Sequence, residues 1–216
     1  MKVFNKSVEK GSKTSFRVEL ASYPDGSPIG VWVRAINGAN DGPTLTLLGA
    51  QHGDEYSGIE IINRIMDSVD PGELSGKILA VPISNPLAFK GLLTERIVSG
   101  LWENLVKDCT VVLDMHEGGK AFMARYIHAR GTEETDRIVG DRNRELYKWF
   151  GQGIPVLEGV RTRSHMMGSL SIQTGIKDIP CIGVEVGGGG RLWEKLVQVG
   201  TRGVRNVMIG LGMLQE

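Results

Sequence analysis

Hydrophobic positions follow two regimes along the chain. Over residues 1–40 they alternate with polar ones, as in Phe16-Val18-Leu20 and Val31-Val33, with breaks at Pro24-Asp25-Gly26 and Gly38. A period of two predicts strands with one face on a core and the other in water, here an antiparallel N-terminal β segment of the same domain as the rest. After Asp41-Gly42-Pro43 the pattern changes. Residues 44–48 and 78–83 are nearly continuous apolar runs, as in strands buried on both faces, and further strands are expected at 111–113, 154–157 and 182–186. Between them a helical period recurs. Ile59, Ile61, Ile62 and Ile65 fall mostly on one stripe of a helix over 57–67, and other helices are expected near 93–105, 133–150, 167–174 and 192–214. Strands alternating with helices imply an α/β fold, a largely parallel sheet covered by helices.

At 216 residues the chain is long enough for one compact unit with its own core. Basic and acidic residues balance at 25 each, which removes any global field toward nucleic acid or an anionic membrane and points to a small-molecule partner. Cys109 and Cys181 lie in apolar runs, where a thiol packs well and a thiolate is hard to form, so both are expected in the core. No apolar run approaches the roughly 20 residues of a spanning helix, and the N-terminus lacks a leader pattern. A cytoplasmic enzyme is the expectation.

Three polar clusters sit at strand ends, the edge where open α/β sheets hold their ligands: Gln51-His52-Gly53-Asp54-Glu55, Asp114-Met115-His116-Glu117 and Glu185 with Gly187 to Gly190. His52 and Glu55 are spaced to reach one ion where a strand turns into a helix, with Gly53 allowing the turn. His116 from another strand end would complete two nitrogens and one carboxylate, the donor set of a catalytic zinc that keeps a position open. An H-x-x-E alone occurs by chance; the second histidine at a matching strand end strengthens it. Of the four histidines, His128 reads as a satisfied strand residue and His165 as an exposed loop residue.

Asp114 either takes the second ring nitrogen of His116, fixing its tautomer, or caps the strand end. Asp54 reads as a cap for the following helix. Glu185 interrupts an apolar run, where an unpaired carboxylate is costly. It is either a general base facing an attacking water or half of a buried ion pair with an arginine. The glycine run after it reads as a turn.

The segments GAQHGDEYSGIEI, VPISNPLAF, LTERI, VVLDMHEGG, IPCIGVEVGGGG and TRGVRNVMIGLGML resemble, in order, the landmarks of the succinylglutamate desuccinylase and aspartoacylase family of the zinc carboxypeptidase A superfamily. The resemblance runs from about Gly42 to Leu214. It implies a three-layer α/β/α fold with a mostly parallel mixed sheet, a catalytic domain over 41–216, one Zn2+ on His52, Glu55 and His116, and Glu185 as general base. Two departures stand out. Lys90-Gly91-Leu92 joins segments that in relatives flank an Asn-Arg pair, and relatives continue past the last helix into a small β-rich domain whereas this chain stops at Glu216. Omitted segments are the expected reason, and Arg96, the nearest remaining candidate for substrate contact, is expected in a structural ion pair.

The function expected is a zinc-dependent deacylase cleaving the amide bond of a small N-acyl amino acid. The alternatives are a carboxypeptidase-type peptidase and a metal-binding protein without catalysis. Neither nucleic acid nor membrane is an expected partner, and a homo-oligomer is compatible with the sequence.

Overall fold

The alternating N-terminal positions form two hairpins. β1 (Lys2–Val3) and β2 (Lys6–Ser7) pair as a short ribbon, and β3 (Ser12–Ser22) pairs antiparallel with β4 (Pro28–Asn37). The computed structural model describes residues 1–88, 95–120, 122–160 and 169–215. The chain continues through β5 (Asn40–Gly49), α1 (Ser57–Ser68), β6 (Ser75–Val81) and α2 (Glu95–Leu101), which runs directly into a π-helical turn, Trp102–Val106. Then follow β7 (Val111–His116), β8 (Met123–Gly131), α3 (Glu133–Phe150), β9 (Val156–Val160), α4 (Leu170–Ile176), β10 (Cys181–Gly188) and α5 (Glu194–Gly210).

The eight longer strands make one mixed sheet in the order β3-β4-β6-β5-β7-β10-β8-β9. Its centre, β6-β5-β7-β10, is parallel, and this is where the continuous apolar runs lie. Helices cover both faces, giving the three-layer α/β/α arrangement. On one face, Ile61, Ile62 and Ile65 of α1, Phe150 of α3 and Val204 and Val207 of α5 pack on Leu45, Leu113, Ile182 and Val184. On the other, Leu101 of α2 and Leu105 and Val106 of the π turn pack on Phe16, Val33, Leu48, Val112 and Cys181. Successive residues of a strand point to opposite faces. Because Val111, Leu113 and Met115 of β7 and Ile182, Val184 and Val186 of β10 belong to the first core, Asp114, His116, Gly183 and Glu185 face the second.

Some boundaries differ from those the pattern predicts. The strand expected at 154–157 starts at Val156, since Pro155 has no N–H for a ladder; its carbonyl accepts from Ile127 N at 2.9 Å. The helix expected over 192–214 spans Glu194–Gly210, and Gly212 at φ 71° turns the chain back so that Met213 N reaches Met208 O. The helix expected from 93 becomes α2 plus the π turn, and residues 93 and 94 lie outside the described residues, as do residues 167 and 168 of the helix expected before Thr174. Both cysteines are buried and unbridged, and burial pushes the Cys109 thiol up to about 11. Among the described residues no helix is long and apolar enough to cross a membrane.

Candidate metal centre and adjoining cavity

Parallel pairing sets Leu48 against Asp114 and Gly49 against Met115, so β5 and β7 end side by side. The chain leaves β5 through Ala50, buried and at φ 49°, a left-handed conformation unusual for a residue with a Cβ. Gly53, expected to allow the turn, has no positive φ. The loop brings His52 Nδ1 to 2.7 Å from Glu55 Oε1, and His116 Nδ1 stands 3.0 Å from the same oxygen. One ligand atom from each of the three lies within 4.8 Å of the others. That separation fits a single ion with bonds of about 2 Å, and two imidazoles with one carboxylate and no thiolate are the donors of an open zinc site.

The electrostatics match a place prepared for a cation. Glu55 is 3% exposed. Burial would raise its carboxyl, but the hydrogen bonds with His116 and His52 outweigh this and hold it at about 2. Burial likewise opposes the His116 imidazolium, yet Asp114 and Glu55 lift the ring to about 11. His52 is raised as well, chiefly by its bond to Glu55. Both ring nitrogens thus face Glu55 Oε1 across the space that a divalent ion would fill.

The second nitrogen of His116, Nε2, lies 3.0 Å from Asp114 Oδ2, and Asp114 Oδ1 accepts from Gln51 Nε2. Asp114 thus contacts the ring nitrogen of His116 that faces away from Glu55. Gln51, a member of the first polar cluster with no role assigned to it, is itself anchored by Asn85 Nδ2 donating to its backbone carbonyl at 2.9 Å.

Asp54 does not cap α1. Its Oδ2 accepts from Lys120 N at 3.0 Å, tying the loop after β5 to the loop after β7. The carboxylate at the start of α1 comes instead from Glu117, buried to 4% exposure, whose Oε2 accepts from Ser57 N at 2.8 Å. A helix N-terminus favours negative charge whichever part of the chain supplies it. Since Glu117 follows His116 and Ser57 lies two residues past Glu55, this bond locks the two halves of the centre together.

Glu185 is paired in register with His116 on one side and Tyr126 on the other, and its carboxylate lies on the same sheet face as the centre. Burial is the main cause that pushes it up to about 7. Among the described residues its ion-pair neighbour is His128, with Nε2 3.6 Å from Oε1, and not the arginine considered as an alternative. His128 is on a strand, as expected, but its side chain lines the cavity and its ring centroid is 6.2 Å from that of His116. It fits because its register partner is Gly183, where a Cβ would stand 2.0 Å from ring atoms of His128. Of the glycines after Glu185, Gly187 and Gly188 are still in β10 and tightly packed, a Cβ on them meeting Ser57 Oγ and Phe122 O at 2.1 Å, while Gly189 and Gly190 form the expected turn. His165, Lys90-Gly91-Leu92 and the Arg96 side chain lie outside the described residues.

A cavity of about 520 Å³ opens over these groups, bounded by Gln51, His52, Asp114, His116, His128 and Glu185 at its polar end. It lies over the carboxyl ends of the parallel strands.

Comparison with known proteins finds relatives of the same fold. Residues 41–92 match the succinylglutamate desuccinylase/aspartoacylase catalytic domain. The N-alpha-acetyl-L-2,4-diaminobutyric acid deacetylase of Halomonas elongata is 23% identical over 81% of this chain, which spans 56% of that relative's length. A succinylglutamate desuccinylase from Silicibacter sp. TM1040 superposes with a TM-score of 0.81 at 20% identity, covering 97% of this chain and 70% of that one. The product-bound ectoine utilization protein EutE of Ruegeria pomeroyi gives 0.80 at 21% identity, with 97% and 71% covered. A metallo-carboxypeptidase from Burkholderia cenocepacia gives 0.64 at 13% identity, with 92% and 65% covered. The resemblance seen in the motifs is borne out, as is the carboxypeptidase-like α/β fold.

Two substitutions probe the supports of the centre. Glu117→Ala strands the buried Ser57 N–H and is expected to cost about 2–3 kcal/mol, or roughly 5–10 °C in Tm by thermal unfolding; Glu117→Gln, which keeps an acceptor, should cost much less. An unchanged Tm for the alanine variant would remove the lock. Gly183→Ala is expected to cost about 1–3 kcal/mol by overpacking and far less in a His128→Ala background; additive losses in that double-mutant cycle would show that the ring does not fill the glycine's space.

Proposed function

We propose that this chain forms the catalytic part of a zinc-dependent deacylase that hydrolyses the amide bond of a small N-acyl amino acid. The observation that carries the reading is the convergence of His52, Glu55 and His116 on one point, with the raised Glu185 carboxyl on the neighbouring strand. The matched catalytic domain and the deacetylase relative support the same reaction class.

His52 Nδ1, Glu55 Oε1 and His116 Nδ1 would hold the ion, with Asp114 fixing the His116 ring through Nε2. Zinc bound there supplies Lewis acidity to the acyl carbonyl and to the attacking water. Glu185, ionised, takes a proton from that water as it adds to the carbonyl carbon. The carboxyl so formed then protonates the amine nitrogen as the C–N bond breaks, leaving a carboxylate and a free amine. A base near 7 suits both transfers, because it gains and loses a proton at little cost around neutral pH. His128 beside Glu185 limits the orientations of its carboxylate.

Metal analysis of protein purified without chelator should find about one zinc per chain, lost in His116→Ala. Because both rings carry raised pKa values, His116 at about 11, zinc binding releases protons and its affinity rises with pH. Calorimetry in buffers of different ionisation enthalpy measures this, and uptake of metal without proton release would contradict the protonated centre.

The sign for catalysis is the same. Glu185 works as a base only when deprotonated, so at saturating zinc kcat/KM should rise through about pH 7 and fall about tenfold per unit below it. Glu185→Gln should lower kcat by about 10²–10⁴ and abolish that acid limb while leaving zinc content intact. Retention of the limb in this variant would sink the assignment of the base.

A further inference from the structure

The cavity has a second, apolar end that the proposed chemistry does not use. Val98, Leu101, Trp102 and Val106 recur at helical spacing, so one stripe of α2 and the π turn lines the cavity together with Leu48 of β5; Ser84 and Asn85 after β6, and Ser169, Leu170, Ser171 and Gln173 at α4, line it as well. Leu48, Leu101 and Val106 are the inner ends of core side chains, whereas Val98 is 59% exposed, an apolar side chain left facing the mouth of a site lined by ionisable groups. Among the described residues no lysine or arginine lines this cavity.

The sheet places the two ends on opposite sides of the centre. In the order β5-β7-β10-β8, the wall is built over β5, the His116 ligand is on β7, and Glu185 and His128 are on β10 and β8. In the reaction proposed above, the proton held by Glu185 goes to the departing amine, so the amine lies toward β10 and β8. An acyl group directed the other way runs across Leu48 toward α2.

We propose that this wall is an acyl-binding site for a hydrocarbon chain of several carbons, making the substrate an N-acyl amino acid with an extended aliphatic acyl group. The assignment rests on the deacylase reading. Two physical points carry it. A cavity of about 520 Å³ would leave most of its apolar wall wet around a two-carbon acetyl group, and each further methylene removed from water strengthens binding about fourfold. A second carboxylate at the end of the acyl chain, as in a succinyl group, would lose its hydration against Leu48, Leu101 and Trp102 with no cation among the described lining residues to compensate.

The test is a kcat/KM series on zinc-loaded protein with N-acetyl-, N-butanoyl-, N-hexanoyl- and N-octanoylglycine, with N-succinylglycine beside N-butanoylglycine. A parallel arm holds the acyl group as acetyl and varies the amine through glycine, alanine, leucine and phenylalanine. The expected result is a rise of about fourfold per methylene along the acyl arm until the wall is covered, a much smaller change along the amine arm, and N-succinylglycine at least tenfold poorer than N-butanoylglycine. Val98→Lys, at an exposed position, should flatten the acyl series and raise the succinyl substrate relative to the butanoyl one.

A flat acyl arm, a steeper amine arm, or a preference for succinyl each overturns the acyl-site assignment while leaving the deacylase reading standing. If no amide is cleaved, that reading fails. The wall is then judged by calorimetric binding of acetate, butanoate, hexanoate and octanoate: tightening of about fourfold per methylene sustains a hydrocarbon site, and equal affinities remove it.

Discussion

The structure turns on one buried carboxylate, Glu55, gripped by two imidazoles that arrive from the ends of adjacent parallel strands. A carboxylate at 3% exposure is costly unless charge and hydrogen bonds surround it. Here the compensation comes from His52, three residues before it, and from His116, sixty-one residues after it. The long-range half is the demanding one, because it requires β5 and β7 to be neighbours with their carboxyl ends level. The parallel centre of the sheet meets that requirement, and the apolar runs that form it are burying strands and aligning a polar centre by the same pairing.

Register extends the argument sideways. Across the sheet, Leu48, Asp114, Gly183 and His128 form one row, and His116, Glu185 and Tyr126 form the next. Taken together the two rows run from Leu48 on β5 through Asp114 and His116 of β7 to Glu185 of β10 and His128 of β8. Gly183 breaks the run of side chains in the first row and so gives the His128 ring a place to lie. A slip of one residue in the β7–β10 pairing would turn Gly183 and Glu185 into the opposite core beside Leu113 and Met115 and carry Ile182 and Val184 out of it. The apolar residues that alternate with the polar ones therefore select the register that keeps the acid beside the centre.

Much of this was readable before any coordinates. The parallel centre, the antiparallel N-terminal hairpin and α3, which spans Glu133–Phe150 as the period predicts, are local patterns repeated over many residues. His52, Glu55, Asp114, His116 and Glu185 could be picked out because a polar residue at the end of an apolar strand is an anomaly in its own neighbourhood. The structure brings these five to one side of the sheet; their chemical roles are inferences from that placement. What could not be read depends on pairs distant in sequence. Glu117 reaching Ser57, Asp54 reaching Lys120 and Gly183 making room for His128 leave no periodic trace in one sequence. Asp54 departs from its expected role for that reason, since a local cap is the commoner partner of an aspartate before a helix, and here the buried Glu117, just past β7, takes the position.

Three buried carboxylates, Glu55, Asp114 and Glu117, stand within a few residues of two strand ends. Such a concentration of negative charge would repel itself apart unless something positive stayed among it. The backbone N–H at the head of α1 answers Glu117, and the raised histidines answer the other two. His52, Glu55 and His116 turn one donor atom each toward a common point. A centre whose donors already converge needs only small movements to accept an ion, and the packing around it can remain rigid.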